Sequence, residues 1–325
     1  MTDDGKTRVR APIRLWLSRA IMAAGVVWIV VIFVRESADL RVDFAIDSLG
    51  WLGYTVVAGC LALLLTVPIF KVMLETHSGQ DVSTAYAARL LFVAQILRNL
   101  PGRFWGVMYL VNETQNRFAA RSMVRANVDF MLYSMAFNLL MATFLLLAVT
   151  VDVRLALIAA GAGIALLALT VHINMVGRLA ARFSRLLQAR LPKFTGGSAD
   201  APRLGWHLAI TVSSLFVAVW LCYLSVWWAL PEVFPVLRDV NIWLLCASYS
   251  LAWVLGYLTM ITPAGLGVRE AGFFALAAPL MSLPELTFLA VFVRLWQILV
   301  ESLMFLVFVF VKPADAAQSS NTNAA

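Results

Sequence analysis

The feature that most limits what this chain can fold into is a series of long apolar runs that carry no charge. The clearest run, 48–70, holds 23 residues without a charged side chain. About 20 apolar residues in a helix are enough to cross the hydrocarbon core of a bilayer. The whole chain is 62% hydrophobic and 13% charged, against about 25% charged in an ordinary soluble domain. The sequence therefore predicts an all-α, polytopic membrane helical bundle.

These runs predict about seven full spans, each long enough for a membrane helix. The expected spans are 20–34 (extended back to 15), 48–70, 130–151, 155–176, 208–230, 241 to about 261, and 286–311. Basic flanks mark the cytoplasmic side of a membrane protein. The N-terminal residues are basic, so we expect the N-terminus in the cytoplasm.

One transmembrane domain, 15–311, is expected between two tails. Residues 1–14 are predicted to be a basic cytoplasmic tail, and 312–325 are small and polar, which predicts disorder. A basic linker, 177–206, joins two halves of the domain. The formal net charge is +7, and the basic residues fall in loops beside apolar spans, where they set topology and attract anionic lipid. We expect membrane lipids, and no nucleic acid, as partners.

A first break interrupts the apolar segment 83–111, which also carries Arg89, Arg98 and Arg103. The residues of this break are Asn99, Pro101 and Gly102, followed by Gly106. Three arginines in one lipid-facing helix would cost roughly 2.5–3.5 kcal/mol each near the bilayer centre. A hairpin that enters and leaves on one side costs less, because its broken tip can lie against other helices. That hairpin, or two crossings, also keeps the next basic loop in the cytoplasm.

A second break lies in 261–275 (ITPAGLGVREAGFFA), where a membrane helix should be ending. The residues that break the backbone are Pro263, Gly265 and Gly267. Arg269 and Glu270 then place two opposite charges before another apolar run. Broken backbone at membrane depth is tolerated only where it is buried in protein or lines a cavity. Ionisable residues inside a membrane are functional candidates, so this stretch is the first candidate for the working site.

The two breaks lie one in each half of the chain. A pair of interrupted apolar segments in corresponding positions is the best sequence indication of a transporter's central site. A half-helix that starts inside the membrane offers unpaired N–H groups and a positive dipole end. Arg103 and Arg269 would add guanidinium groups, which bind phosphate through two parallel hydrogen bonds. The alternative is that Pro and Gly only mark packing kinks.

Two further charges lie in the last span. Arg294 and Glu301 are seven residues apart, about 10 Å along a helix, so they do not satisfy each other. We predict that Glu270 pairs with Arg294 and that an arginine of the broken segments pairs with Glu301. The alternative is a static ion pair that only holds the bundle together. Arg125 and Asp129, four residues apart on one helix face, form another possible ion pair.

Several catalytic signatures are absent from the sequence. The chain has no GxxxxGK[ST] loop, no HExxH and no CxxC pair, and its Gly265-Leu266-Gly267 has no strand before it that would make a dinucleotide site. Cys60, Cys222 and Cys246 lie inside apolar segments without metal-ligand spacing. We therefore expect no metal, no cofactor and no enzymatic activity.

The two broken motifs resemble those of a known protein family. The residues that carry it are Asn99-Leu100-Pro101-Gly102-Arg103 with Gly106, then Thr262-Pro263-Ala264-Gly265-Leu266-Gly267-Val268-Arg269-Glu270-Ala271, and Arg294. Over roughly residues 15–311 the chain resembles the transmembrane region of lysylphosphatidylglycerol synthases, a flippase-like membrane protein family. It differs at Ala264, where that family often has Gly, and at Arg125 and Asp129, whose spacing departs from an acidic–Arg pair shortly before an Asp.

The resemblance implies lipid translocation. In the synthases the membrane region moves aminoacylated phospholipid between leaflets, and a separate soluble domain makes that lipid. This sequence shows no such domain, so we do not expect a synthase. Stand-alone relatives are linked to glycolipid, polyprenyl-phosphate or hopanoid pathways, which leaves the lipid open.

The leading prediction is a bacterial inner-membrane protein that moves an anionic, aminoacylated or sugar-linked lipid between leaflets. In this interpretation Arg103, Arg269 and Arg294 bind the head group, with Glu270 and Glu301 as counter-charges. A second hypothesis is a non-transporting scaffold for a lipid-modifying enzyme or a glycosyltransferase. A third is an intramembrane enzyme with Glu270 as acid or base, but no second catalytic group is assignable.

Overall fold

The computed structural model describes residues 48–99, 105–114, 117–149, 154, 157–161, 163–164, 206–258 and 267–310. In this part of the chain 88% of the residues are helical and none forms a strand, which confirms the all-α class. The α-helices whose bounds are described are α1 (Leu49–Ser78), α2 (Thr84–Arg98), α3 (Trp105–Thr114), α4 (Ala120–Val149), α5 (Trp206–Val233), α6 (Ile242–Leu258), α7 (Val268–Ala277) and α8 (Leu283–Phe308). A short 3-10 helix, Pro235–Leu237, follows α5.

Four of these helices are long and apolar enough to cross a membrane, which indicates a membrane-embedded protein. They are α1, α4, α5 from His207 onward, and α8, with 26 to 30 residues each. They overlap the predicted spans 48–70, 130–151, 208–230 and 286–311. The apolar α6 is shorter, at 17 residues. The total of about seven spans stays a prediction, because 20–34 and most of 155–176 lie outside the described residues, as do both tails and the linker up to 205.

Two helices are longer than the spans predicted from the positions of charged residues. Ser48 caps α1 by accepting a hydrogen bond from the Trp51 N–H at 3.3 Å, and the helix continues to Ser78, where Gly79 ends it with a φ of 68°. α4 begins at Ala120 rather than near Phe130. A charged residue ends the stretch that can contact lipid, but it does not end a helix.

The helices on either side of the first break, α2 and α3, pack against each other. In α2 and α3, Arg89 Nη2 lies 3.0 Å from Glu113 Oε1, and a Cβ on Gly106 would lie 2.6 Å from the carbonyl oxygen of Ala94. Residues later in α3 therefore lie beside residues earlier in α2, as in an antiparallel hairpin. An antiparallel pair fits both expected alternatives, a hairpin that returns on one side and two crossings. It also explains the glycine at position 106, because the backbones of α2 and α3 approach too closely for a side chain.

The helices on either side of the second break, α6 and α7, also pack closely against each other. A Cβ on Gly256 in α6 would lie 2.9 Å from Arg269 Cβ in α7. Further from the break, the rings of Tyr249 and Phe273 meet edge to face at 5.6 Å. α6 and α7 are therefore antiparallel as well. Gly267 precedes α7 with a φ of 84°, a left-handed conformation that favours glycine.

Two clusters of buried side chains hold the helices together. One centres on α1 and α2 and includes Phe70, Leu74 and Phe92. The other is built on α6, α7 and α8 with parts of α4 and α5. Trp296 links α8 to α1, where a Cβ on Gly59 would lie 2.5 Å from the indole ring. This packing places the two hairpins beside α8.

Candidate functional site

The flanks of the two breaks meet beside α8. The ends of α2 and α6, the start of α7 and the middle of α8 enclose a small polar pocket of about 30 Å³. Its lining residues are Arg98, Asn99, Trp253, Gly256, Tyr257, Arg269, Arg294, Gln297 and Ile298. Arg98 Nη1 donates a hydrogen bond to the Tyr257 hydroxyl, so the first hairpin contacts the second directly. We call this space the arginine pocket.

Glu270 connects α7 to α8. Its Oε1 accepts a hydrogen bond from Arg294 Nη1 at 2.8 Å and lies 3.4 Å from Arg269 Nη2. Its Oε2 accepts a hydrogen bond from the Gly267 N–H at 2.8 Å, so the same carboxylate caps the start of α7. The predicted pairing of Glu270 with Arg294 is therefore confirmed.

Arg269 is held between this carboxylate and an aromatic ring. Only 6% of its surface is exposed, and its Cζ lies 5.5 Å from the ring centroid of Tyr249. A guanidinium over an aromatic face is a favourable cation–π arrangement. The burial of Arg269 fits the sequence argument that its charge belongs inside the protein.

Glu301 is the second carboxylate, with 2% of its surface exposed. It accepts hydrogen bonds from Asn99 Nδ2 at 2.8 Å and from Gln297 Nε2 at 3.0 Å. Arg98 Nη2 lies 3.6 Å from its Oε1. An arginine of the first broken segment thus pairs with Glu301, as predicted.

Arg98 is the functional candidate that the sequence reasoning missed. The motif points to Arg103 instead, which lies outside the described residues together with Pro101, Gly102, Pro263 and Gly265. The available signal was position, because Arg98 directly precedes the break at Asn99. Which face of α2 points inward depends on packing, and the sequence of the break alone does not specify it.

The site contains more positive than negative side chains. Arg98, Arg269 and Arg294 bring three positive charges, while Glu270 and Glu301 bring two negative ones. Within the described part of the chain, the site therefore has one positive charge in excess. Arg269 and Arg294 share the carboxylate of Glu270, whereas Arg98 pairs with Glu301.

A larger cavity adjoins the arginine pocket. It measures about 160 Å³ and shares Arg98, Trp253, Tyr257 and Gln297 with the pocket. We call it the aromatic cavity, because tryptophan, tyrosine and phenylalanine dominate its wall. Its aromatic lining residues are Phe130, Phe216, Trp220, Tyr223, Trp227, Tyr249, Trp253, Tyr257, Phe292 and Trp296.

Three polar atoms of residues that line the aromatic cavity are buried without a hydrogen-bond partner. They are Gln95 Oε1, Tyr249 Oη and Trp296 Nε1. Buried polar atoms are almost always satisfied in folded proteins. The three atoms are enclosed by the side chains packed around them.

The predicted ion pair between Arg125 and Asp129 is replaced by another contact. Asp129 Oδ2 lies 2.6 Å from His77 Nε2, with 7% and 3% of the two side chains exposed. Asp129 is buried and contacts α1, whereas Arg125, one turn earlier on α4, stays partly exposed. Among the described residues Arg125 forms no ion pair with Asp129 within 4 Å. His77 was not predicted, because the contact joins residues 52 positions apart.

The three cysteines are free, with Cys246 buried and Cys60 and Cys222 partly buried. In the described ranges no group of three or more His, Cys, Asp or Glu side chains could hold a metal ion.

No protein-family model, curated protein or solved structure matches the chain. The resemblance to the transmembrane region of lysylphosphatidylglycerol synthases therefore stays a prediction that rests on the broken motifs.

Proposed function

We propose that the protein moves a lipid with an anionic head group between the two leaflets of a membrane. The observation that supports this is the junction of the arginine pocket with the aromatic cavity, which share four residues. A lipid has the same two parts, a charged head group and an apolar body. The bacterial inner membrane, the cytoplasmic N-terminus and the full span count are part of this proposal.

The charges of the pocket suit a phosphate. Guanidinium groups bind a phosphodiester through parallel hydrogen bonds, and one bound negative charge compensates the excess positive charge. Arg98 lies 3.6 Å from Glu301, and Arg269 lies 3.4 Å from Glu270. These pairs are longer than the 2.8 Å bond between Arg294 and Glu270. In our proposal, Arg98 and Arg269 exchange their carboxylates for the phosphate during transport.

Reconstitution in vesicles tests the proposal. Vesicles that contain a fluorescent phosphatidylglycerol and the purified protein are treated with a quencher that reaches only the outer leaflet. We expect the protein to speed up exchange between the leaflets, and Arg98→Gln and Arg294→Gln to remove most of this acceleration.

The matched control is Arg238→Gln, which removes an exposed arginine that pairs with Glu232 at 3.7 Å and leaves the pocket intact. Normal exchange in the Arg294→Gln variant, with unchanged expression and melting temperature, would contradict a role for the pocket. If no lipid moves under any ion gradient while a lipid-modifying enzyme or glycosyltransferase binds, the protein is a scaffold.

A further inference from the structure

We propose that His77 and Asp129 together bind one proton, and that this proton controls a movement of α4 that opens the aromatic cavity. The inference rests on the proposed function where it concerns lipid movement, and it adds the ligand that controls that movement. It follows from the geometry of the buried pair, from the second ring nitrogen of His77 and from the place of α4 in the cavity wall.

The pair joins the last turn of α1 to the first half of α4. His77 Nε2 lies 2.6 Å from Asp129 Oδ2, and 3% and 7% of the two side chains are exposed. An ionised carboxylate only accepts hydrogen bonds, so Nε2 is the donor and the lone pair of the neutral imidazole lies on Nδ1. The neutral ring and the carboxylate together carry one negative charge.

The second ring nitrogen of His77 is available for a proton. In the described part of the chain, Nδ1 is buried and has no hydrogen-bond partner, so no such bond fixes the protonation state of the ring. A hydronium ion donates its proton to the lone pair of Nδ1 and leaves as water. The result is an imidazolium beside a carboxylate, a pair without net charge, which is less costly to bury than a charged one.

The proton reaches this nitrogen from the end of α1. His77 lies in the last turn of the helix, and Gly79 and Gln80, which follow it, are exposed. Helix ends open locally at a small fraction of the cost of global unfolding. Nδ1 can therefore exchange a proton with water while the bundle stays folded.

Other charged and titratable groups lie on the elements around the pair. Those on α6, α7 and α8 belong to the arginine pocket, the aromatic cavity or the cap of α8. The remaining groups are Lys71 and Glu75 on α1, Asp81 after it, Tyr86 and Arg89 on α2, Glu113 on α3, Arg121, Arg125 and Tyr133 on α4, and His207 on α5.

These neighbours do not replace His77 as the proton site. Lys71 pairs with Glu75 at 2.8 Å, and Arg89 pairs with Glu113 at 3.0 Å. Histidine is the side chain whose unperturbed form changes its charge between pH 5 and 8. In the described part of the chain this leaves His77 and the exposed His207, which serves as a control.

Phe130 links the pair to the aromatic cavity. It directly follows Asp129, lines the cavity, and meets Phe70 of α1 edge to face at 5.8 Å. α1 adds Leu63 and Thr66 to the same cavity, so α1 and α4 both form part of its wall. A movement of α4 away from α1 at Asp129 takes Phe130 with it and opens that wall.

The proton decides how firmly α4 is held. The bond of an imidazolium to a carboxylate is stronger than that of a neutral imidazole, because the attraction of opposite charges adds to the hydrogen bond. The protonated pair therefore holds α1 and α4 together, and loss of the proton at higher pH releases α4. We expect lipid to move faster at the higher pH.

NMR of the protein with isotope-labelled histidine tests proton binding directly. The chain has three histidines, and the signals that disappear in the His77→Gln variant belong to His77. We expect its Nδ1 signal to shift between about pH 5 and about pH 8, while Nε2 keeps its hydrogen throughout.

The vesicle assay with phosphatidylglycerol, run at the same two values of pH on both sides of the membrane, tests control of lipid movement. Exchange should be about fivefold faster at the higher pH, the effect of losing a charge-assisted bond. His77→Gln and Asp129→Asn keep a neutral hydrogen-bonding group in place but cannot form the ion pair. Each should exchange lipid at the same rate at both values of pH, whereas the control His207→Gln should keep the fivefold difference.

Quenching of tryptophan fluorescence by acrylamide reports on the cavity without any lipid movement. Four tryptophans line the cavity: Trp220, Trp227, Trp253 and Trp296. Their quenching should rise with pH in the unmodified protein and stay constant in His77→Gln and Asp129→Asn.

Separate results would overturn the inference and the proposed function. A His77 signal that stays constant over the whole pH range shows that the pair binds no proton, and the inference is then wrong. It is also wrong if both variants keep the pH dependence of quenching or of exchange. If no lipid moves at either pH, the proposed function fails, and quenching that still rises with pH in the unmodified protein alone supports the proton site.

Discussion

Glu270 binds a helix end with one carboxylate oxygen and an arginine with the other. The first contact is local, since Glu270 is three residues after Gly267, and the second is tertiary, since Arg294 is 24 residues further on. Glu285 has the same local role at the start of α8, where its Oε2 accepts a hydrogen bond from the Ser282 N–H at 2.8 Å. Among the ion pairs of the described residues Glu285 has no arginine, which makes it a matched control.

We therefore expect Glu270→Gln to destabilise the protein more than Glu285→Gln. Both variants weaken a helix cap, but only Glu270→Gln leaves Arg269 and Arg294 without their carboxylate. Breaking a buried pair costs about 3–5 kcal/mol, and partial exposure of Glu270 (23%) reduces this to an expected difference of about 2 kcal/mol. Unfolding of the purified variants in a denaturing detergent measures the difference. Equal destabilisation would show that the ion pair contributes nothing beyond the cap.

The contact between His77 and Asp129 predicts a specific energetic coupling. Because both side chains are buried and 2.6 Å apart, a double-mutant cycle with His77→Ala and Asp129→Ala should give a coupling energy of about 1–3 kcal/mol. The parallel cycle with Arg125→Ala and Asp129→Ala should give less than about 0.5 kcal/mol. The same unfolding assay provides both coupling energies. A larger coupling energy for Arg125 with Asp129 than for His77 with Asp129 would support the pairing expected from the sequence.

At the scale of helices, each break lies between two antiparallel helices that touch through a glycine. A Cβ at Gly106 would meet the backbone oxygen of Ala94, and one at Gly256 would meet Arg269 Cβ. In each hairpin the second arm has ten residues. The arginine pocket depends on this close approach, because Arg98 ends α2 and Arg269 lies at the start of α7.

Gly106→Ala should accordingly destabilise the protein by about 1–3 kcal/mol, since the methyl group meets a backbone atom that cannot rotate away. Gly53→Ala is the control: nothing lies within 4 Å of a Cβ at that position of α1. Alanine there should stabilise the helix by about 0.5–1 kcal/mol. The midpoints of detergent-induced unfolding test whether the two substitutions change stability in opposite directions. If Gly106→Ala left the stability unchanged, α2 and α3 could move apart without loss of stability.

The positions of the long helices could be predicted from the sequence. Each apolar segment must cover its own surface with lipid or protein, so its length alone indicates a membrane helix. Each of the predicted spans 48–70, 130–151, 208–230 and 286–311 overlaps one long helix. The pairing of Glu270 with Arg294 was predictable too, since few charges share the apolar part of the chain and each needs a partner. Arg98 and His77 were not, because helix rotation and long-range packing decide which polar side chains meet.

For the whole molecule, the arginine pocket depends on four helices at once, three of which supply its charges. α2 contributes Arg98, α7 contributes Arg269 and Glu270, and α8 contributes Arg294 and Glu301. α6 adds the aromatic residues Trp253 and Tyr257, whose rings stack at 4.4 Å between pocket and cavity. Moving any of these helices changes the number of carboxylates available to the arginines. Binding of an anionic head group and motion of the bundle are therefore coupled in our proposal.

Glu301→Gln tests this coupling. The substitution keeps the shape of the side chain and raises the excess positive charge from one to two, so an anionic lipid should bind about tenfold more tightly. Transport should nevertheless become slower, because the carboxylate that would take Arg98 back from the phosphate is gone. Quenching of tryptophan fluorescence by added phosphatidylglycerol in detergent measures binding, and the vesicle assay measures transport. Glu232→Gln, which breaks the exposed pair with Arg238, should change neither quantity. Weaker binding by a folded Glu301→Gln variant would show that Glu301 holds the pocket open and does not compete with the lipid for Arg98.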